Sequence, residues 1–322
     1  MVDESRRGRL LAVKLATLVR DHDAGTEVEP ASFALGAAAT KGPVGWVLLD
    51  ERQQRGLGPA LAWAVRAGVT HLHVLAEEGT GTMARRAAAF RIPIEVWHVA
   101  DRVLLPGIAE PLPAALAVPE GHDQFRPLMI EGGALPAVEH GVLVGEVRGL
   151  EVCRVVTDTQ TGEARLEVGI GQHDREAFQM LHGDVPTVEA LARVVAAVAL
   201  HREHGADPHP LNRIGQERAL RARLIDDPGL IGASLVEALP SPLPRSNLKD
   251  PQPSVAHAVI DGCSRTVVIS TGVDLDLVPF ATDARLATGD PTRIVVPSRD
   301  EVPVLHDVNW LLDDPMAVVP VG

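Results

Sequence analysis

The stretch "RLEVGIGQHDREAF", residues 165–178, is the densest run of chemistry-bearing side chains in the chain. It reads as a strand, a glycine turn and the polar start of a helix. Leu166, Val168 and Ile170 alternate, which sends them inward and turns Glu167 to the opposite face. On the preceding strand Glu151 and Cys153 share a face. A short polar turn over 158–163 then sets Glu151 opposite or diagonal to Glu167. Two carboxylates so placed could hold Mg2+ or Mn2+ through oxygen ligands. His173 and Asp174, at the helix start, would complete an acid–base set if a nucleophile or metal faced them. A second reading uses the same residues without chemistry: the acids pair with Arg154 and Arg165, and Asp174 caps a helix whose positive end favours Glu167 and Glu176.

Other motifs are thinner. His201 and His204 sit one helical turn apart with His209 beyond, but zinc wants three or four converging ligands and no cysteine is near. Histidine in a last helical turn is also favoured by the helix dipole. His122 and Asp123 form a His-Asp pair in strand-rich surroundings, unlike the successive helices of a His-Asp phosphohydrolase. In "RGLGPAL", Gly56 and Gly58 precede a helix where backbone could approach an anion. Position 61 is Leu, however, so the G-x-G-x-x-G pattern is broken, and no Walker pattern occurs. Asp274 and Asp276 stand at a helix N-terminus, where they cap and would repel phosphate. Ser270 lies in "VISTG", outside any nucleophile elbow.

The elements that must position these residues follow from periodicity. Residues 5–20 form an amphipathic helix through Leu10, Leu11, Leu15 and Leu18. Residues 45–99 alternate strand, helix, strand, helix, strand, with Pro59 in the first turn of a helix that stops at Gly68. This predicts an α/β fold with an N-terminal parallel β-α-β-α-β unit. A larger α/β part then combines an antiparallel meander, bent at Gly149, with a closing β-α-β-α-β segment. The division expected is 1–105 for the first domain, a proline-rich linker over 106–120, and 121–322 for the second. Within the second come the meander (140–170), a helical segment (173–225), a proline-rich connection (239–254) and the closing unit (265–322). One helix of this part starts with a capping pattern at Thr187. The segments 45–99 and 265–321 share their alternation, with Pro59 and Pro279 at matching places. Duplication and convergence both account for this.

The meander, with acids on its strands and then a helix and strand–helix–strand, resembles the PD-(D/E)xK nuclease fold over roughly residues 140–300. The resemblance is topological, and residues 45–99 weakly resemble the strand–helix–strand half of such folds. It implies a metal-binding acid on the second strand, for which Glu151 and Asp158 are candidates, and an acid-x-lysine on the third. That third-strand position reads Glu167-Val168-Gly169, with glycine in place of lysine, so the implied active site is degenerate.

The chain has 322 residues and a formal net charge of −13, which argues against a duplex-binding face. Lysine occurs only at Lys14, Lys41 and Lys249. The Arg/Ala/Gly bias resembles coding in a GC-rich, actinobacterial-type genome. With 3% aromatics and no Tyr, the core must be aliphatic. Cys153 and Cys263 read as buried free thiols, which suits a reducing cytoplasm. No run of about 18 apolar residues spans a bilayer, and the N-terminus lacks a signal-peptide cleavage site. The expected function is a non-catalytic cytoplasmic interaction or regulatory scaffold, with a protein partner or self-association and no cofactor. The alternative is a metal-dependent phosphodiester or nucleotide hydrolase using Glu151, Glu167, His173 and Asp174.

Overall fold

The computed structural model describes the chain apart from residues 1, 52, 160, 183–187, 204–206, 208 and 245–251. It is a mixed α/β protein of two compact units. The first comprises Met1–Leu112, Val273–Leu286 and Arg299–Val318, and the second comprises Pro113–Gly272, Ala287–Ser298 and Val319–Gly322. This corrects the contiguous division at 106–120, because the two helices of the closing segment belong to the first unit. Helix periodicity shows that a helix has an apolar face, not which sheet or helix will cover it. Among the described residues, no helix is long and apolar enough to cross a membrane.

The first unit starts with α1 (Val2–His22), β1 (Glu29–Ala31), β2 (Gly36–Lys41) and β3 (Val44–Leu49). It continues with α2 (Leu57–Ala67), β4 (His71–Ala76), α3 (Thr80–Ala87), β5 (Ile94–Ala100) and β6 (Val103–Pro106). The six strands lie in chain order. β3, β4 and β5 run parallel, as the crossover pattern predicts, while β1, β2 and β6 pair antiparallel to their neighbours. α1 covers one face: Leu15, Leu18 and Val19 pack with Ala37, Ala39, Trp46, Leu48, Leu75, Val99 and Leu104. Leu10, expected on this face, is exposed. α2 stops as predicted at Gly68, which takes the left-handed conformation and bonds back to the helix.

The second unit opens with α4 (Arg126–Glu131), β7 (Leu135–Glu139), β8 (Val142–Val147), β9 (Leu150–Thr157) and β10 (Ala164–Val168). These strands form the antiparallel meander, ordered β10-β9-β8-β7. The bend expected at Gly149 is instead a full reversal between β8 and β9. Arg148 and Gly149 both have positive φ, 45° and 76°, the geometry of a two-residue type I′ turn. The hydrophobic pattern runs straight through this turn, so periodicity alone joins the two strands into one. A Cβ on Gly149 would lie 2.2 Å from the Arg218 carbonyl carbon, so the turn needs glycine for both conformation and space.

Helices α5 (Gln172–His182), α6 (Val188–His201) and α7 (Gln216–Asp226) follow. Thr187 lies outside the described residues. The remaining elements are β11 (Ala233–Leu239), β12 (Ser254–Ile260), β13 (Cys263–Ile269), α8 (Leu277–Thr288), β14 (Thr292–Pro297), α9 (Pro303–Trp310) and β15 (Ala317–Val321). The strands form a sheet ordered β11-β12-β13-β14-β15, parallel at β13–β14. Leu220 and Leu224 of α7 pack on it with Ala256, Ala258, Val267, Ile269 and Val295. The two segments compared in the sequence therefore share a longer topology. Each has a helix over one sheet face, three antiparallel strands, then helix, strand, helix, strand, with the strands in chain order. Pro59 and Pro279 are each the third residue of their helix.

Both cysteines are free thiols. Cys153 is buried, and burial pushes its thiol up to about 12. Cys263 is exposed rather than buried, because it begins β13 straight after the Asp261–Gly262 turn. A thiol reagent is therefore expected to modify Cys263 alone in the native protein and both residues in denaturant. Mass measurement after brief alkylation checks this. Modification of Cys153 at a comparable rate would contradict the burial assigned to it.

Candidate functional site

The meander brings Glu151 and Glu167 to one face, by a route the sequence does not reveal. The β8–β9 register shifts between Gly145 and Glu146, so Gly145 pairs with Cys153 while Glu146 pairs with Glu151. Val152 is the extra residue of a bulge, and it reverses which way the following residues point. Cys153 pairs with Val168 on β10 and joins the core, whereas Arg154 pairs with Glu167. The expectation that Glu151 and Cys153 share a face is corrected by that bulge. Leu166 and Val168 do point into the core, with Ile170 packed against it.

The acids on this face meet arginines. Arg154 grips Glu151 through Nε at 2.6 Å and Nη2 at 2.9 Å. Arg175 of α5 reaches Glu151 at 3.5 Å and Glu167 at 3.3 Å. Arg165 donates to Glu167 at 2.9 Å. The hydrogen bond to Glu151 is the main reason the Arg154 guanidinium is held above its ordinary pKa. Nearby, Glu146 of β8 accepts from Arg218 at 3.2 Å and from Arg221 at 3.1 Å, and Arg218 also donates to Glu139 at 2.9 Å. Bidentate guanidinium pairing fills the lone pairs a metal would use. A cation at Glu151 would have to displace Arg154 and leave it partly buried without its partner.

The structure does not bring His173 and Asp174 into this set. The His173 side chain is 100% exposed and lies 3.8 Å from Glu176, its own helical neighbour. Asp174 is exposed in the first turn of α5, where the helix dipole favours an acid. Arg154 and Arg165 were legible as partners of the acids. Arg175 was not, because nothing in its local spacing shows that α5 folds back over β10.

The other motifs have ordinary occupants. His201 stacks on His209 at 3.9 Å, and His209 Nδ1 accepts from the Leu211 amide at 3.3 Å as a helix cap. His204 lies outside the described residues. His122 is buried against Thr157 at 2.9 Å, and Asp123 pairs with Arg126 at 2.8 Å, so no His–Asp couple forms. The N-terminus of α2 does hold an anion, but it is the carboxylate of Asp276, which accepts from the Gly58 amide at 3.2 Å.

One cluster was missed by sequence reasoning. His71 and His73 on β4 face Glu95 on β5, with Trp46, Trp97 and His22 around them. His71 Nε2 lies 2.9 Å from Glu95 Oε1, and His73 Nδ1 lies 3.7 Å from Glu95 Oε2. Trp46 stacks flat on His73 at 3.7 Å, and the Trp97 indole N–H donates to His73 Nδ1 at 3.0 Å. Burial lowers the His73 pKa to about 4, with Glu95 opposing and His71 and His22 adding to the shift. The histidine spacing in "THLHVL" was the one local signal, since i and i+2 share a strand face. No family model matches the chain, no curated protein matches it, and no solved structure matches it.

Proposed function

We propose that this protein is a non-catalytic interaction or regulatory scaffold, and that the polar face of its meander is a structural ion-pair lattice. The observation carrying this reading is the engagement of Glu151 and Glu167 by Arg154, Arg165 and Arg175. A nuclease-like layout over residues 140–300 goes with it. Gly169 stands at the position of the usual lysine, and arginines take the place of metal on the acids. The working partner is a protein or a second copy of the chain. The acidic net charge of −13 argues against nucleic acid. Free thiols at Cys153 and Cys263 support a cytoplasmic location.

The test compares the full-length protein with Glu151→Gln on bis(p-nitrophenyl) phosphate and on single-stranded DNA, each with Mg2+ and with Mn2+. The expected rates match one another and the protein-free blank. Sedimentation and co-purification are expected to show self-association or a stoichiometric partner. A monomer that turns over either substrate, and loses that turnover in Glu151→Gln, would establish the hydrolase instead.

A further inference from the structure

The first unit contains one cluster that the scaffold reading leaves unused. We propose that His71, His73 and Glu95 form a binding site for a late first-row divalent cation of the zinc type. The argument starts from the backbone. His71 and His73 are two residues apart on β4, so both side chains leave the same face of the sheet. Glu95 is the register partner of His73 on the adjacent parallel strand β5. The three ligand atoms consequently lie within 4.8 Å of one another without any backbone movement.

The spacing suits the ion. Zinc bonds of about 2.0–2.2 Å in a tetrahedral arrangement place neighbouring ligand atoms roughly 3.4 Å apart. His71 Nε2 lies 2.9 Å from Glu95 Oε1 and His73 Nδ1 lies 3.7 Å from Glu95 Oε2, so small side-chain rotations bring the three ligands to that spacing. Two imidazoles and one carboxylate leave a fourth position for water, and the part-exposed His71 and exposed Glu95 let an ion arrive from solvent. The donor set also selects the metal. Imidazole nitrogen suits zinc, cobalt and nickel, whereas Mg2+ and Ca2+ prefer oxygen alone. Glu95 differs from Glu151 and Glu167 in what it meets. Guanidinium never gives up its proton, while imidazole exchanges a proton for a metal at neutral pH.

The surrounding rings supply a readout. His73 Nδ1 has one lone pair, which now accepts from the Trp97 indole. An ion bound at that nitrogen replaces this hydrogen bond. Trp46, stacked on the same imidazole, stays within a few ångströms of the metal.

The experiment uses the full-length protein after chelator treatment and dialysis. Zn2+ is titrated by calorimetry and by tryptophan emission, and Co2+ by visible absorption. The expected result is one ion per chain, a change in emission that saturates with it, and the visible bands of four-coordinate cobalt. Glu95→Gln and His71→Asn, whose positions are partly open to solvent, should each weaken Zn2+ binding at least about tenfold, with circular dichroism unchanged. His306→Asn is the control. It removes a surface His–Glu pair at 3.0 Å that, among the described residues, is not part of a three-ligand cluster, and binding should be unaffected. Absence of Zn2+ binding at 100-fold excess overturns the proposal. So does wild-type binding without a tryptophan response, or equal affinity in Glu95→Gln and His71→Asn.

Discussion

Asp276→Ala is expected to lower the free energy of unfolding by about 3–5 kcal/mol, the cost of breaking a buried ion pair from one side. Asp276 is 3% exposed and lies in the first unit. It accepts from Arg86 Nη1 at 2.7 Å and from the Gly58 amide at 3.2 Å. Arg86, 2% exposed, is also held by Asp283 at 2.8 Å. Burial opposes the Arg86 charge, and the two carboxylates together more than restore it, holding its pKa above the ordinary value. Alanine would leave a buried guanidinium short of one carboxylate and the first turn of α2 short of an acceptor. Gly58→Ala tests the same junction by steric means. An ideal Cβ there falls 2.0 Å from the Leu275 carbonyl oxygen, so backbone must move. Urea unfolding measures both variants. A loss below about 1 kcal/mol for Asp276→Ala would show that the network is neutral to stability.

Glu146→Ala should cost a similar amount in the second unit, about 3–5 kcal/mol. Glu146, 4% exposed, is the shared acceptor for Arg218 and Arg221 of α7. Arg202 is close enough to feel Arg218: burial first, and then the Arg218 charge, lower its pKa to about 10, with Glu146 opposing. Arg202 is satisfied by the carbonyls of Arg148, Leu211 and Ile214 at 2.8–3.0 Å. Among the described residues, the Arg218 Nε and Nη2 atoms are buried without a hydrogen-bond partner. Removing Glu146 would leave Arg218 to Glu139 and Arg221 to the Leu239 and Val255 carbonyls, so repulsion between the arginines adds to the lost pairing. Hydrogen exchange should show lost protection in β8 and α7 together, with Glu146→Gln intermediate. Unchanged exchange in α7 would mean that apolar packing, not this carboxylate, fixes the helix.

The alternating pattern of Leu166, Val168 and Ile170 was enough to assign β10 and its buried face, because burying every second side chain is a local property of a strand. The same logic found the parallel crossovers of residues 45–99 and the helix stop at Gly68. It failed where one residue changes the pattern. Val152 adds a bulge that turns Cys153 inward, and the Arg148–Gly149 pair reverses the chain inside a run that reads as one strand. The bulge shifts the alternation by one residue at Val152–Cys153, both of which are buried, but a doublet of apolar residues does not say which of the two is the extra one. The candidate acids were legible as charged residues on a sheet face, but their occupants were only half visible. Arg154 and Arg165 are strand neighbours, whereas Arg175 arrives from a helix.

The sequence by itself determined the α/β class, the order of most elements, the acidic charge and the scarcity of aromatics, all of which depend on composition or on contacts within a few residues. Tertiary structure alone decided which distant groups meet. Glu95 lies 24 residues from His71, and Asp276 lies 218 residues from Gly58. Those meetings are set by strand register and by which surfaces exclude water together, and a residue's own neighbours in sequence carry no record of either.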